Sequence, residues 1–255
     1  MAADVHLFTC LGDNYGALIH DPATGATAAI DVPEAEPVLA AAHARGWTIS
    51  HILVTHHHAD HVQGIEAVKA ATGARVVANA ADAHRIPLVD ETVSPGGKAR
   101  LGTLEAEVID TPGHTVGHIN YHFAADRVLF SGDTLFSLGC GRLFEGTPAQ
   151  MWEALKVLRA LPDDTAVYCG HEYTASNAKF ALTVDPDNAA LKARAEEVFR
   201  LREAGLPTLP TTIGQEKATN PFLRADDAAV AATLGMTGRA PAEVFAELRE
   251  RKNKA

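Results

Sequence analysis

Between Thr55 and His61 the chain sets His56, His57, His58, Asp60 and His61, four of its 13 histidines and one carboxylate within seven residues. The apolar run Ile52, Leu53, Val54 stands directly before this cluster, and Val62 to Val68, directly after it, has a helical pattern. A short apolar run followed by a helical repeat predicts a strand feeding a crossover helix, with the cluster on the loop at the strand's carboxyl end. Open α/β sheets bind their ligands there. In extended chain His56 and His58 project the same way, at period two, while Asp60 and His61 follow once the chain has begun to turn. One loop can then feed two metal ions. The plainer alternative is a His-rich polar loop with Asp60 as a helix cap, but this density of imidazoles beside a carboxylate favours metal.

Three later segments share one ending. Predicted strands over Glu105–Ile109, Arg127–Phe130 and Thr165–Tyr168 run into Gly113-His114, Gly132-Asp133 and Gly170-His171. Glycine at a strand end lets backbone approach an ion or ligand with no Cβ in the way. Taken singly, His114, Asp133 and His171 read more simply as turn residues. With the cluster they complete a set of five histidines and two aspartates, enough for two ions with a position left open for water. Asp133, whose two oxygens can serve two cations, is the candidate bridge. His57 lies between two candidate ligands and is expected to point away, and His118 and His122 to take supporting or surface roles.

Short strands are predicted at Val5–Thr9, Gly16–His20, Thr27–Ile30 and Arg75–Ala78, helices at Glu34–Arg45 and Pro148–Leu161, and loop over residues 80–100. Beyond His171 the pattern turns helical, over Thr174–Leu182, Asn188–Ala204, Ala225–Leu234 and Pro241–Lys252. The expected class is α/β with a smaller helical domain starting near residue 173. The chain is 47% hydrophobic and 21% charged, an ordinary globular balance. Neither an apolar span nor a leader-like start is evident, so no membrane association and a cytoplasmic setting are expected. Cys10, Cys140 and Cys169 are odd in number and widely spaced, which suits buried small apolar residues better than a disulfide framework. A net charge of −10 argues against nucleic acid as a partner, so positive charge for an anionic substrate must be gathered locally. Nothing demands more than a monomer.

The order His56-x-His58-x-Asp60-His61, then His114, Asp133 and His171 resembles the metallo-β-lactamase superfamily, which implies an αββα sandwich using two metals for hydrolysis. Within it, the segments Gly139–Thr147, Gly170–Thr174, Asn220–Arg224 and Arg249–Lys252 resemble the glyoxalase II, or hydroxyacylglutathione hydrolase, family over nearly the whole chain. The resemblance implies that His56, His58 and His114 hold one metal, Asp60, His61 and His171 the other, and Asp133 bridges. It implies two divalent ions, zinc first, with iron and manganese also suited. Arg142, Phe144 and Tyr173 fall on substrate-contacting positions, the first two often Lys and Tyr in the family. Arg249 and Lys252 match a basic pair for the glycine carboxylate of glutathione, although the family's aromatic after this pair is absent here. The implied domains are 1–172 for the dinuclear hydrolase and 173–255 for the helical glutathione-binding part.

The implied reaction is hydrolysis of S-D-lactoylglutathione to D-lactate and glutathione by a metal-bridging hydroxide, the second step of methylglyoxal detoxification. A thiolate leaving group needs no dedicated acid, and the chain has no Gly-x-Ser-x-Gly elbow to suggest a serine nucleophile. The rivals are a mononuclear iron glutathione-persulfide dioxygenase and a non-catalytic metal-binding module.

Overall fold

The computed structural model describes residues 2–255 and begins with three antiparallel strands, β1 (Asp4–Cys10), β2 (Asn14–His20) and β3 (Ala26–Ile30). Asp21 holds the β2–β3 turn, accepting from Ala23 N at 2.9 Å and Thr24 Oγ1 at 2.7 Å. Helix α1 (Ala35–Arg45) follows and stops at Gly46, whose φ of 68° gives the left-handed cap expected of a glycine there. β4 (Thr48–Leu53) pairs parallel with β3, and β5 (Arg75–Asn79) parallel with β4. The crossover between β4 and β5 carries the histidine cluster, as the apolar-run-then-helix pattern predicts.

That crossover holds two helices, α2 (Ala59–Val62) and α3 (Ile65–Thr72). The break falls at Gly64, whose N–H is given to Val32 O at 3.0 Å instead of to a helical carbonyl. Residues 80–100 are less loop-like than the sequence suggests, since β6 (Glu91–Val93) joins β5 in parallel and β7 (Lys98–Leu101) starts a second sheet. Strands of three and four residues are too short to show a period. β8 (Leu104–Asp110), β9 (Ile119–Phe123) and β10 (Val128–Gly132) continue that sheet antiparallel, in the order β7-β8-β9-β10. β9 escapes sequence patterning because Asn120 and His122 are buried along with its apolar residues.

Leu18, Val38, Ile52, Val54, Ile65 and Val76 fill the layer between the first sheet and helices α1 and α3. Each such burial stabilises the fold by roughly 1.5–3 kcal/mol. Tyr121 on β9 donates its hydroxyl to Val54 O at 3.0 Å, and Ile119 N bonds to Thr55 O at 3.0 Å. The loop carrying the histidines is thus anchored from both sheets.

The chain separates into two compact units, one comprising residues up to Asp110 and Gly117–Gly132, the other Thr111–Val116 and Asp133–Ala255. In the second, β11 (Leu135–Phe136) and β12 (Gly139–Cys140) form a hairpin. α4 (Pro148–Arg159) starts from a capping box of Thr147 and Gln150 with Pro148 behind the cap. β13 (Ala166–Cys169) leads into α5 (Thr174–Val184) and α6 (Ala189–Glu203), whose first turn is capped by Asn188 accepting from Leu191 N. β14 (Thr211–Thr212) pairs with β13, and α7 (Ile213–Thr219), α8 (Ala228–Thr233) and α9 (Pro241–Asn253) complete the unit.

Helix α7 has no apolar stripe for sequence reasoning to find. Its anchor is Glu216, fully buried and accepting from Ser137 Oγ, Leu138 N, Thr211 Oγ1 and Asn220 Nδ2. No helix among the described residues is long and apolar enough to cross a membrane.

Candidate active site

The ends of β3 and β4 build the first half of the site. Asp31 directly follows β3 and is buried. Its carboxylate accepts from Thr55 N at 2.7 Å, Thr55 Oγ1 at 2.8 Å and His61 Nδ1 at 2.8 Å. These contacts fix proton positions. A carboxylate only accepts, so His61 carries its proton on Nδ1. The Thr55 hydroxyl spends its proton on Asp31 and therefore accepts from His56 Nδ1, 3.0 Å away. Both imidazoles are left with an Nε2 lone pair, the form that binds metal.

His56 Nε2 faces His58 Nδ1 at 3.1 Å, and His61 Nε2 lies 3.8 Å from Asp60 Oδ2. Donors about 2.05 Å from a tetrahedral ion stand about 3.3 Å apart, so the His56–His58 spacing suits two ligands of one ion. Asn14 steadies Asp60, donating from Nδ2 to its backbone oxygen at 3.1 Å and to Oδ2 at 3.3 Å. His57 turns to Asp82, with Nδ1 2.9 Å from Oδ2. His118 is fully buried and stacks on His56 at 4.8 Å, and His122 is buried within β9, so neither takes the surface place that was one of its expected roles. Gly132, with φ 47°, is needed at the end of β10, because a Cβ there would come within 2.7 Å of His118 Nε2 and Thr55 Oγ1.

In the second unit, Asp133 Oδ2 lies 3.3 Å from His114 Nε2 and 3.4 Å from His171 Nε2. Asp133 Oδ2 thus faces two imidazole nitrogens at spacings that suit ligands of a metal ion. His114 Nδ1 donates to Arg142 O at 2.9 Å, which again leaves Nε2 for metal. Gly141 lies flat against this group, since a Cβ there would fall 1.9 Å from Asp133 O. The donor chemistry of both halves fits divalent metal.

The segment after Gly141 runs alongside the His114 loop. Phe144 N bonds to His114 O at 3.2 Å, Gly146 N to Gly113 O at 3.0 Å, and Val116 N to Glu145 Oε2 at 2.8 Å. Phe144 stands exposed, edge-on to His114 at 5.3 Å, and Tyr173 stacks on His171 at 4.7 Å. Two of the predicted substrate residues therefore flank predicted ligands. Arg142 is exposed. Lys252 Nζ donates to Ser176 O and Oγ at 3.1 and 2.9 Å, and its pKa is lowered by burial and by the neighbouring charges of Arg249 and Arg142. Arg249 is placed otherwise than a solvated helix end would be. It is 5% exposed, its guanidinium donates to Cys140 O at 2.8 Å and Asn253 Oδ1 at 3.0 Å, and it lies over the Phe222 ring.

All three cysteines are free and buried, and burial pushes the Cys169 thiol up to about 12 and the Cys10 thiol to about 11. At neutral pH they are thiols and offer no nucleophile. Sequence patterning missed Asp31, Thr55, Asn14 and Glu145. Only Asp31 carried a local signal, a lone acid at the end of the apolar strand Ala28–Ile30.

Residues 7–171 match the family model of the metallo-β-lactamase superfamily, and residues 172–255 that of the hydroxyacylglutathione hydrolase C-terminus. Hydroxyacylglutathione hydrolases of Rhodopseudomonas palustris (strain BisB18) and Nitrobacter hamburgensis are 59% and 60% identical to the chain over 255 residues, with all of each chain covered. Among solved structures, ETHE1 from Myxococcus xanthus matches with a TM-score of 0.70 and 28% identity, over 99% of this chain and 92% of that one. The BLEG-1 B3 metallo-β-lactamase, at 23% identity and a TM-score of 0.67 over 86% of this chain and 99% of its own, shares the fold. The chain has the mixed α/β metallo-β-lactamase fold with a helical C-terminal part, and it belongs to the hydroxyacylglutathione hydrolase family.

Proposed function

We propose that this chain hydrolyses S-D-lactoylglutathione and related 2-hydroxyacylglutathiones to the hydroxy acid and glutathione, at a pair of divalent metal ions. The observation that carries this reading is likeness at about 59% identity, end to end, to proteins named hydroxyacylglutathione hydrolase. Support comes from the donors, five imidazoles and two carboxylates whose second contacts leave metal-binding lone pairs on His56, His61 and His114. In this reading His56, His58 and His114 hold one ion, Asp60, His61 and His171 the other, and Asp133 joins them. Zinc is the first choice, with iron and manganese compatible with the same ligands. Residues 1–172 supply the metal chemistry and 173–255 the glutathione-binding part, in a cytoplasmic monomer.

A divalent metal held by these histidines and aspartates would lower the pKa of water from about 15.7 to about 7, a saving of about 12 kcal/mol in making hydroxide, and would polarise the thioester carbonyl. The protein's part is orientation. Asp31, Thr55 and the Arg142 carbonyl hold the imidazoles in one tautomer, so no reorganisation is needed when substrate arrives. Phe144 and Tyr173 present their rings beside His114 and His171, where they would contact the bound substrate. Arg142, Arg249 and Lys252 gather positive charge for the glutathione carboxylates on an otherwise acidic chain. The departing thiolate needs no proton from the protein.

The test is loss of the thioester in S-D-lactoylglutathione, assayed with and without chelation and beside an oxygen electrode. Turnover abolished by chelator, restored by zinc and free of oxygen uptake is expected. Oxygen consumption with glutathione persulfide and an intact thioester would instead indicate a mononuclear iron dioxygenase, and turnover of neither a metal-binding module.

A further inference from the structure

Leu11, Leu88 and Leu138 have left-handed backbones, at φ 48°, 53° and 59°. A bulky side chain strains such a backbone, because its Cβ crowds the following carbonyl oxygen. Leu138 is fully buried, so packing offsets its strain, whereas Leu11 is 40% and Leu88 52% exposed. Leu88 stands ahead of β6, which begins at Glu91 and runs parallel to β5. It therefore lies at the amino end of the parallel strands, away from the histidine loop, and its carbonyl accepts from Lys69 Nζ at 3.0 Å. Leu11 lies at the other end. β2 runs antiparallel to β3 with Ala17 opposite Ile30, so β2 starts where β3 ends ahead of Asp31. The turn Leu11-Gly12-Asp13 joins the paired residues Cys10 and Asn14 there, at the end of the sheet where ligands bind. The turn is strapped on both flanks. Leu11 N donates to Glu34 Oε2 at 2.6 Å, and Asn14 Nδ2 to Asp60 O and Oδ2 at 3.1 and 3.3 Å.

The geometry points to Leu11 as a specificity-determining residue, an apolar wall beside Asp60 against which the substituent of the 2-hydroxyacyl group packs. This rests on the thioesterase function proposed above. A strained leucine that keeps much of its surface in water gains little from folding, and strain of this kind persists where a ligand uses it. The turn is also close enough. Its ends are a strand pair with Cα atoms about 5 Å apart, and Leu11 is one 3.8 Å step beyond Cys10, so its Cα lies within about 9 Å of that of Asn14. Asn14 in turn touches Asp60. The choice between the two halves of the thioester follows from chemistry. Glutathione carries two carboxylates and an amine, which an aliphatic side chain cannot recognise. The acyl group differs between substrates in its alkyl or aryl substituent, and a leucine distinguishes these by the apolar area it covers. Leu11 therefore favours larger acyl substituents over hydrogen.

The test compares kcat/KM on the glutathione thioesters of glycolic, lactic and mandelic acid, whose substituents are hydrogen, methyl and phenyl. Leu11→Asn removes the apolar chain and installs a residue that tolerates the left-handed backbone. It is expected to leave Tm at or above that of wild type and the glycolic thioester within twofold. The mandelic thioester should fall about fivefold, slightly more than the roughly fourfold worth of one methylene contact, with the lactic thioester between. Leu11→Met, which keeps an apolar chain, should hold the mandelic-to-glycolic ratio within twofold of wild type. The assignment is overturned if Leu11→Asn lowers all three thioesters equally, leaves their ratios unchanged, or lowers Tm as loss of a packing residue would. Wild-type protein that leaves all three thioesters intact overturns the thioesterase function, and the role of Leu11 with it.

Discussion

Asp31→Asn isolates the role of the second contact behind His56 and His61, two of the proposed metal ligands. The carboxylate accepts three hydrogen bonds, from Thr55 N, Thr55 Oγ1 and His61 Nδ1. An amide of the same shape has one accepting oxygen. If it keeps the Thr55 N bond, its NH2 faces the threonine hydroxyl and the imidazole Nδ1. The hydroxyl can rotate, but the imidazole can only answer by becoming an acceptor at Nδ1, which moves its proton to Nε2 and removes a metal lone pair. A second contact of this kind is worth about 10- to 100-fold in metal affinity, or about 1.4–2.7 kcal/mol. The buried mismatch itself costs a further 1–3 kcal/mol or so of folding stability. Metal affinity is read by competition with a chromophoric chelator, and stability by thermal unfolding of metal-free protein. The expected outcome is weaker metal binding together with a lower Tm. Metal affinity within twofold of wild type would refute the proposed control of the His61 tautomer.

Glu145→Ala removes the acceptor of Val116 N while leaving the other bonds along the His114 loop. It should lower kcat/KM about two- to tenfold, from a bond worth about 0.5–1.5 kcal/mol, with the fold unchanged by circular dichroism. Hydrogen bonds from Thr103 N and Thr24 Oγ1 hold the Asp21 carboxyl well below the usual carboxylate range. Its folded pKa lies below the unfolded value near 3.9, so its stabilisation is present above about pH 4 and is lost as pH falls through the acid range. Asp21→Asn should therefore lower Tm at pH 7, with the gap to wild type shrinking below about pH 4; a gap independent of pH would contradict this.

Much of the site is legible in the sequence because its signals are local. The crowding of His56, His58, Asp60 and His61, and glycine just ahead of His114, Asp133 and His171, show at spacings of a few residues. What escapes is held by distant partners. Asp31 meets Thr55 and His61 across 24 and 30 residues, and neither pairing leaves a trace in any window of sequence. Arg249 has the pattern of a solvated basic helix end, yet its guanidinium finds a carbonyl 109 residues earlier. Helix α7 and strand β9 fail for a related reason. Glu216 and His122 are buried polar groups where patterning expects apolar ones. His118, also fully buried, is placed by stacking on His56, a contact sequence spacing cannot supply.

Activity measured against added metal tests the dinuclear assignment most directly. Metal-free protein titrated with zinc while S-D-lactoylglutathione turnover is followed should gain activity until two equivalents per chain are bound, with Asp133→Asn unable to reach that plateau. Full activity at one equivalent, or a plateau that Asp133→Asn attains unchanged, would contradict a pair of ions joined by Asp133.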